Sequence, residues 1–170
     1  MLIFVLTELM FFAGLISAFV IAKSSAPFGW PPPDQPRLPI EITGVNTAML
    51  MISGVMLVLA HRRLGKDDKS AKLMLFATIA FGASFVLVQG GEWAGLLGQG
   101  LTITSGQLGG FFYLIVGLHA LHAVAALLAL TWAFGRLLKG TLEAPQLWAV
   151  EVFWFFVIGI WPLLYYEVYL

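Results

Sequence analysis

The chain has 170 residues, of which 60% are hydrophobic and only 11% are charged, with zero formal net charge and no cysteine. A soluble domain carries about a quarter of its residues as charged side chains, so this composition predicts a protein of the lipid bilayer. The lack of cysteine excludes disulfides, thiolate metal sites and cysteine-ligated clusters, and the balanced charge gives no reason to expect a nucleic-acid partner.

Five apolar stretches are long enough to cross a membrane, which takes about 20 helical residues. They cover residues 2–22, 44–60, 72–97, 107–134 and 147–170. The first stretch contains Glu8 and lacks a basic leader, so we interpret it as a retained helix and not as a secretory signal. The prediction is therefore an all-α integral membrane bundle of five transmembrane helices, forming a single domain over residues 1–170.

The distribution of basic residues predicts the orientation of the bundle. Seven of the nine Lys and Arg residues lie in the connections after the second and fourth helices, whereas Lys23 and Arg37 lie on the other side. Basic connections stay on the cytoplasmic side, so the N-terminus is expected inside and the C-terminus outside. Trp30 and the tyrosines at 165, 166 and 169 would then belong to the outer aromatic belt.

Proline marks one connection and the last helix. The outer connection over residues 24–41 holds six prolines and is expected to run extended over the surface. Pro145 suits the first turn of the last helix. Pro162 lies within that helix and should kink it unless a neighbour satisfies the freed carbonyl.

Polar side chains inside the predicted spans are the candidate site residues, namely Glu8, Gln89, Glu92, His119 and His122. An ionisable group at this depth costs at least about 2.5–3.5 kcal/mol, so each should face protein or a cavity. Gln89 and Glu92 are three residues apart on one helix, and the two histidines are three apart on the next, so each pair shares a helical face. We expect these two helices to be antiparallel neighbours, with a contact between Glu92 and the histidines.

Three interpretations of this polar set compete. The favoured one is an interhelical hydrogen-bond set that fixes helix register and seats a lipid, because polar groups in hydrocarbon usually pair with one another. A metal or haem site is the second, since imidazole and carboxylate are competent ligands, but only three histidines exist and His61 lies at the inner surface. A proton relay is the third. Glu151, near the inner end of the last helix, is expected to be interfacial.

Four motifs, in order, resemble a known family. LTELMFFAGLISAF (6–19) resembles its Ser-Glu-x-Met-Phe-Phe helix, and WPPPDQPRLPIEITGVNT (30–47) resembles its Trp-Pro-rich connection. VQGGEWAGLLGQGLTITSG (88–106) resembles its Gln-x-x-Glu helix, and FFYLIVGLHALHA (111–123) its Gly-x-His-x-x-His helix. The family is subunit III of the haem–copper terminal oxidases, chiefly cytochrome c oxidase, and this chain looks like its five-helix bacterial kind.

The resemblance implies an accessory subunit of a respiratory oxidase that reduces dioxygen to water, with no catalytic residue and no metal ligand of its own. Haem and copper would lie in the partner, catalytic subunit I. The family holds phospholipid in a cleft and supports proton uptake, and the resemblance carries Glu8, Glu92, His119 and His122 over to the interior near that cleft. A multi-pass protein of the bacterial inner membrane is expected.

The last helix departs from the family pattern. The stretch FWFFVIGIW (153–161) has Phe155 and Ile158 where members have His and Asp. An accessory subunit of a quinol oxidase or nitric oxide reductase is therefore a related alternative. A free-standing membrane carrier or metalloenzyme using Glu92, His119 and His122 is an alternative of a different class.

Overall fold

The computed structural model describes residues 1–26, 38 and 40–169. In this part of the chain there are five α-helices followed by one π-helix. They are α1 (Leu2–Ser24), α2 (Ile40–Arg63), α3 (Asp68–Gly98), α4 (Gln107–Leu138), α5 (Ala144–Leu164) and the π-helix (Tyr165–Tyr169). All five α-helices are long and apolar enough to span a membrane, α5 together with its π-helical extension, which confirms the predicted class. The Pro-rich connection and Trp30 lie almost wholly outside the described residues.

Most helices are longer than their apolar stretches, because hydropathy marks the hydrocarbon-crossing part and not the interfacial turns. Asp67 precedes α3 and accepts a hydrogen bond from the Ser70 backbone N–H at 3.1 Å, which caps the helix. The Ser70 hydroxyl and backbone N–H hold the pKa of Asp67 below its usual value. At α5, Glu143 and Gln146 form a reciprocal capping box, and proline occupies the first turn as expected.

Helix α5 packs mainly against α4, α2 and α1, and its Trp154 and Trp161 also contact α3, while α2 and α3 form the most extensive pair in the bundle. Helices α3 and α4 pack against each other, as predicted for neighbours joined by a short connection. Helix α1 is the least buried span. Large side chains fill the centre, and Trp154, Trp161 and Phe12 are fully buried.

Aromatic side chains of α5 and of the π-helix donate hydrogen bonds to α2. The Trp154 indole N–H donates to the Ser53 hydroxyl at 3.1 Å, and the Tyr165 hydroxyl donates to the Ile40 carbonyl at 3.0 Å. A small residue also permits a close contact between α3 and α5, since a Cβ built on Gly82 of α3 would meet the Trp154 ring at 2.8 Å. Close backbone approach through small residues is how helices associate in lipid.

The last helix changes its winding one turn after Pro162. Proline cannot donate the N–H that would bond the carbonyl four residues back. Helix α5 ends at Leu164, and the wider π turn continues to Tyr169, which is buried beside Gln89. The sequence predicted one helix from residue 147 to residue 170, whereas the structure has an α-helix followed by a π-helix. Residue 170 itself is not among the described residues.

Candidate functional site

Glu92 lies at the centre of a polar cluster near the C-terminal end of α3. The Thr43 hydroxyl of α2 is 2.9 and 3.2 Å from the two carboxylate oxygens of Glu92, and the Gln89 amide donates to the nearer of these at 2.6 Å. The same Gln89 nitrogen is 2.9 Å from the Tyr169 hydroxyl. The cluster therefore joins α2, α3 and the π-helix through side-chain hydrogen bonds to one carboxylate.

A carboxylate does contact a histidine of α4, but it belongs to Glu8 and not to Glu92 as predicted. His122 Nε2 of α4 lies 3.1 Å from Glu8 Oε2 of α1, whereas Glu92 is bonded to Thr43 and Gln89. The expected contact of Glu92 with the histidines is thus wrong for His122. The i, i+3 spacing predicted which face of α4 the histidines share, but not which helix would supply the acid.

The His122 ring has a defined tautomer. Its Nδ1 lies 2.7 Å from the Leu118 carbonyl oxygen, which can only accept, so Nδ1 carries a hydrogen. The other ring nitrogen, Nε2, is the one that faces the Glu8 carboxyl group. This pair bridges α1 and α4.

His119 has a quite different environment, although it is only one turn from His122. Its ring stacks on Trp161 with centroids 5.1 Å apart and meets Phe12 edge-on at 6.3 Å. It is 1% exposed, and neither ring nitrogen has a hydrogen-bond partner among the described residues. The structure therefore separates the five predicted residues into Glu92 with Gln89, Glu8 with His122, and His119 alone against aromatic rings.

A second carboxylate–imidazole contact was missed by the sequence reasoning. His61 Nδ1, at the C-terminal end of α2, lies 2.7 Å from Glu151 Oε2 of α5. The Glu151 side chain is only 10% exposed within the bundle, whereas its location at the membrane interface stays a prediction. Antiparallel packing of α2 on α5 brings these two side chains together, and an acid and an imidazole at matching depth were the available signal.

The described residues contain no group of three or more His, Cys, Asp or Glu side chains that could hold a metal ion. The acids Glu8, Glu92 and Glu151 each contact one or two neutral or basic side chains. The arrangement can therefore fix helices against one another.

Comparison with known proteins agrees with the motifs. The family model for cytochrome c oxidase subunit III matches residues 1–170. The chain is 34% identical over 179 aligned residues to cytochrome c oxidase subunit 3 of Tragelaphus imberbis, covering 99% of this chain and 67% of the relative. The subunits 3 of Bos mutus grunniens and Aepyceros melampus are each 33% identical, with the same coverage. The chain is thus a multi-pass membrane protein that belongs to the cytochrome c oxidase subunit III family, the non-catalytic subunits of haem–copper oxidases.

Proposed function

We propose that the polar side chains within the helices of this subunit hold those helices in register and take no part in electron transfer. The observation that carries this proposal is the bonding of Glu92, whose carboxylate binds Thr43 of a second helix as well as Gln89 of its own. Glu8 similarly reaches His122 on another helix. An acid that is satisfied by such neighbours is stabilised at depth without a metal or a substrate.

In the assembled oxidase, we propose that the bundle packs against the catalytic subunit, which carries haem and copper. The polar set would support phospholipid binding and sustained proton uptake by that subunit while dioxygen is reduced to water. The motifs around Glu8, Glu92, His119 and His122, which resemble those of the family, support this role. No cofactor is assigned to this chain itself.

We further propose that the N-terminus faces the cytoplasm and the C-terminus the opposite side of a bacterial inner membrane. The two basic connections support this orientation, because both border one surface cavity of about 380 Å³. Gly65 of the first connection and Gly140 of the second are among its lining residues. Connections that meet at one cavity lie on the same side of the membrane, as the positive-inside rule requires of them.

The test is a turnover experiment on the purified oxidase complex with Glu92→Ala. The initial rate of oxygen reduction is expected to stay near the wild-type value. Activity should then decline faster over repeated turnovers, or the subunit and its lipid should be lost during purification, because the bonds to Thr43 and Gln89 are gone. Glu41→Ala is the matched control, since Glu41 is exposed at the end of α2. An immediate and complete loss of electron transfer in a fully assembled Glu92→Ala complex would overturn the proposal.

A further inference from the structure

A cavity of about 150 Å³ lies where α3, α4 and α5 meet. Gln89 and Trp93 of α3, His119 and Ala123 of α4, and Trp161 of α5 are among the residues that line it. Three of these, Gln89, Trp93 and His119, carry a polar atom without a hydrogen-bond partner among the described residues, and Gln89 and His119 are the most deeply buried of them. The cavity therefore adjoins the Glu92 cluster on one side and the isolated histidine on the other.

The unsatisfied atoms are deeply buried. His119 is 1% exposed and Gln89 is 5% exposed. Among the described residues, neither ring nitrogen of His119 nor Oε1 of Gln89 has a hydrogen-bond partner. The Gln89 nitrogen is already bonded to Glu92 and Tyr169, so the remaining capacity of this side chain is that of an acceptor. Burying such groups unpaired is unfavourable, because they lose their hydration without a replacement.

The chemistry of these atoms selects the occupant. A neutral imidazole offers one donor and one acceptor, while the amide oxygen needs a donor. An acyl chain could fill the space but offers neither group, whereas water offers both. The cavity volume of about 150 Å³ is large compared with the roughly 30 Å³ that a water molecule occupies in the liquid.

We infer that this cavity is a buried water site, in which ordered water hydrogen-bonds to His119 and donates to the carbonyl oxygen of Gln89. The remaining wall is aliphatic or aromatic, with Phe85, Val116 and Trp161 prominent, so the water lies at the His119–Gln89 end of the cavity.

The water supplies a link that the protein groups do not make directly. Among the described residues, no side-chain hydrogen bond connects a residue within α3 to a residue within α4. A water between Gln89 and His119 extends the cluster from Thr43 through Glu92 and Gln89 to α4. This inference goes beyond the proposed function, because the direct bonds of Glu92 persist whether or not the cavity is hydrated.

The first test is a cryo-electron microscopy map of the intact oxidase complex at a resolution that shows ordered water. We expect at least one density peak within hydrogen-bonding distance of both Gln89 Oε1 and a His119 ring nitrogen. Tubular density typical of an acyl chain, an empty cavity, or a direct bond of His119 to another protein group would overturn the inference. None of these results would change the expected behaviour of Glu92→Ala.

The second test asks whether substitutions of His119 raise or lower the thermal midpoint of the same complex. If water pairs with His119, His119→Phe should lower the thermal midpoint, and His119→Gln, which keeps a donor and an acceptor, should lower it less. If the cavity is dry, His119→Phe removes an unpaired polar group and should raise the midpoint, which would contradict the hydrated site.

Discussion

The indole N–H of Trp161 donates a hydrogen bond to the Thr47 hydroxyl, 2.8 Å away, across the interface between α5 and α2. Trp154 and Ser53 repeat this arrangement two turns earlier on α5. The last helix lacks the His and Asp typical of the family, with a partly exposed Phe155 and a buried Ile158 in their places. Indole donors to α2 therefore provide polar anchors for a helix that has lost its polar pair.

Replacing Trp154 tests this anchoring. Trp154→Phe should lower the free energy of unfolding by about 1–3 kcal/mol, because it removes the bond to Ser53 and part of a fully buried ring. Denaturation of the purified complex in detergent measures the change. Trp148→Phe is the control, since Trp148 is 46% exposed, and equal effects of the two substitutions would contradict the role of Trp154.

The contact of α3 with Trp154 makes Gly82 sensitive to added volume. A Cβ at Gly82 would lie 2.8 Å from two atoms of the buried indole ring, which cannot move aside easily. Gly82→Ala should therefore cost about 1–3 kcal/mol despite its better helix propensity. At Gly159 a Cβ would meet nothing within 4 Å, so Gly159→Ala should be neutral or stabilising by up to about 1 kcal/mol. The same ranking in thermal midpoints is expected, and the reverse ranking would show that the α3–α5 contact is looser than described.

The contact between His61 and Glu151 joins the C-terminal end of α2 to the N-terminal half of α5. Glu151→Ala should weaken this end by about 1 kcal/mol, because it removes a contact of 2.7 Å from a side chain that is largely shielded from solvent. Hydrogen exchange should then accelerate in the last turn of α2. Glu41→Ala, at the opposite end of the same helix, should leave that turn unchanged. Unaltered exchange near His61 in the Glu151 variant would argue against a stabilising contact.

The cap of α3 predicts a pH dependence. The pKa of Asp67 is lowered in the folded protein from its usual 3.8, chiefly by the Ser70 hydroxyl. A lowered pKa stabilises the folded state above the unfolded-state pKa, and this stabilisation is lost as the pH falls through the folded-state value. Asp67→Ala should thus fray the start of α3 at neutral pH, and its difference from wild type should shrink below about pH 3.8. Amide exchange at the first turn of α3 measures the fraying. A difference that stays constant down to pH 2 would refute the prediction.

Hydropathy and charge were sufficient to predict the five helices, because a helix that spans lipid needs a long run of apolar residues. Several helix ends were placed too far inward, since residues such as Asp68 and Arg63 are helical but not apolar. The five polar residues inside the spans were also identified from sequence, because their cost in hydrocarbon makes them conspicuous.

Their partners could not be predicted in the same way. Spacing along α4 shows that His119 and His122 share a face, but which helix meets that face depends on three-dimensional packing. Glu8 therefore occupies the place that was expected for Glu92. Thr43 and Ser53 gave no signal of their importance, because hydroxyl residues are common in membrane helices and bond their own backbone equally well.

A double-mutant cycle on Thr43 and Glu92 tests most directly whether the Glu92 carboxylate serves to join helices. The variants are Thr43→Val, Glu92→Gln and the double substitution, compared with wild type in the purified oxidase complex. We expect a coupling of about 0.5–3 kcal/mol in the free energy of unfolding, with the initial rate of oxygen reduction unchanged in all three. Strictly additive effects on stability, together with an initial rate abolished by Glu92→Gln alone, would contradict a structural role for this carboxylate.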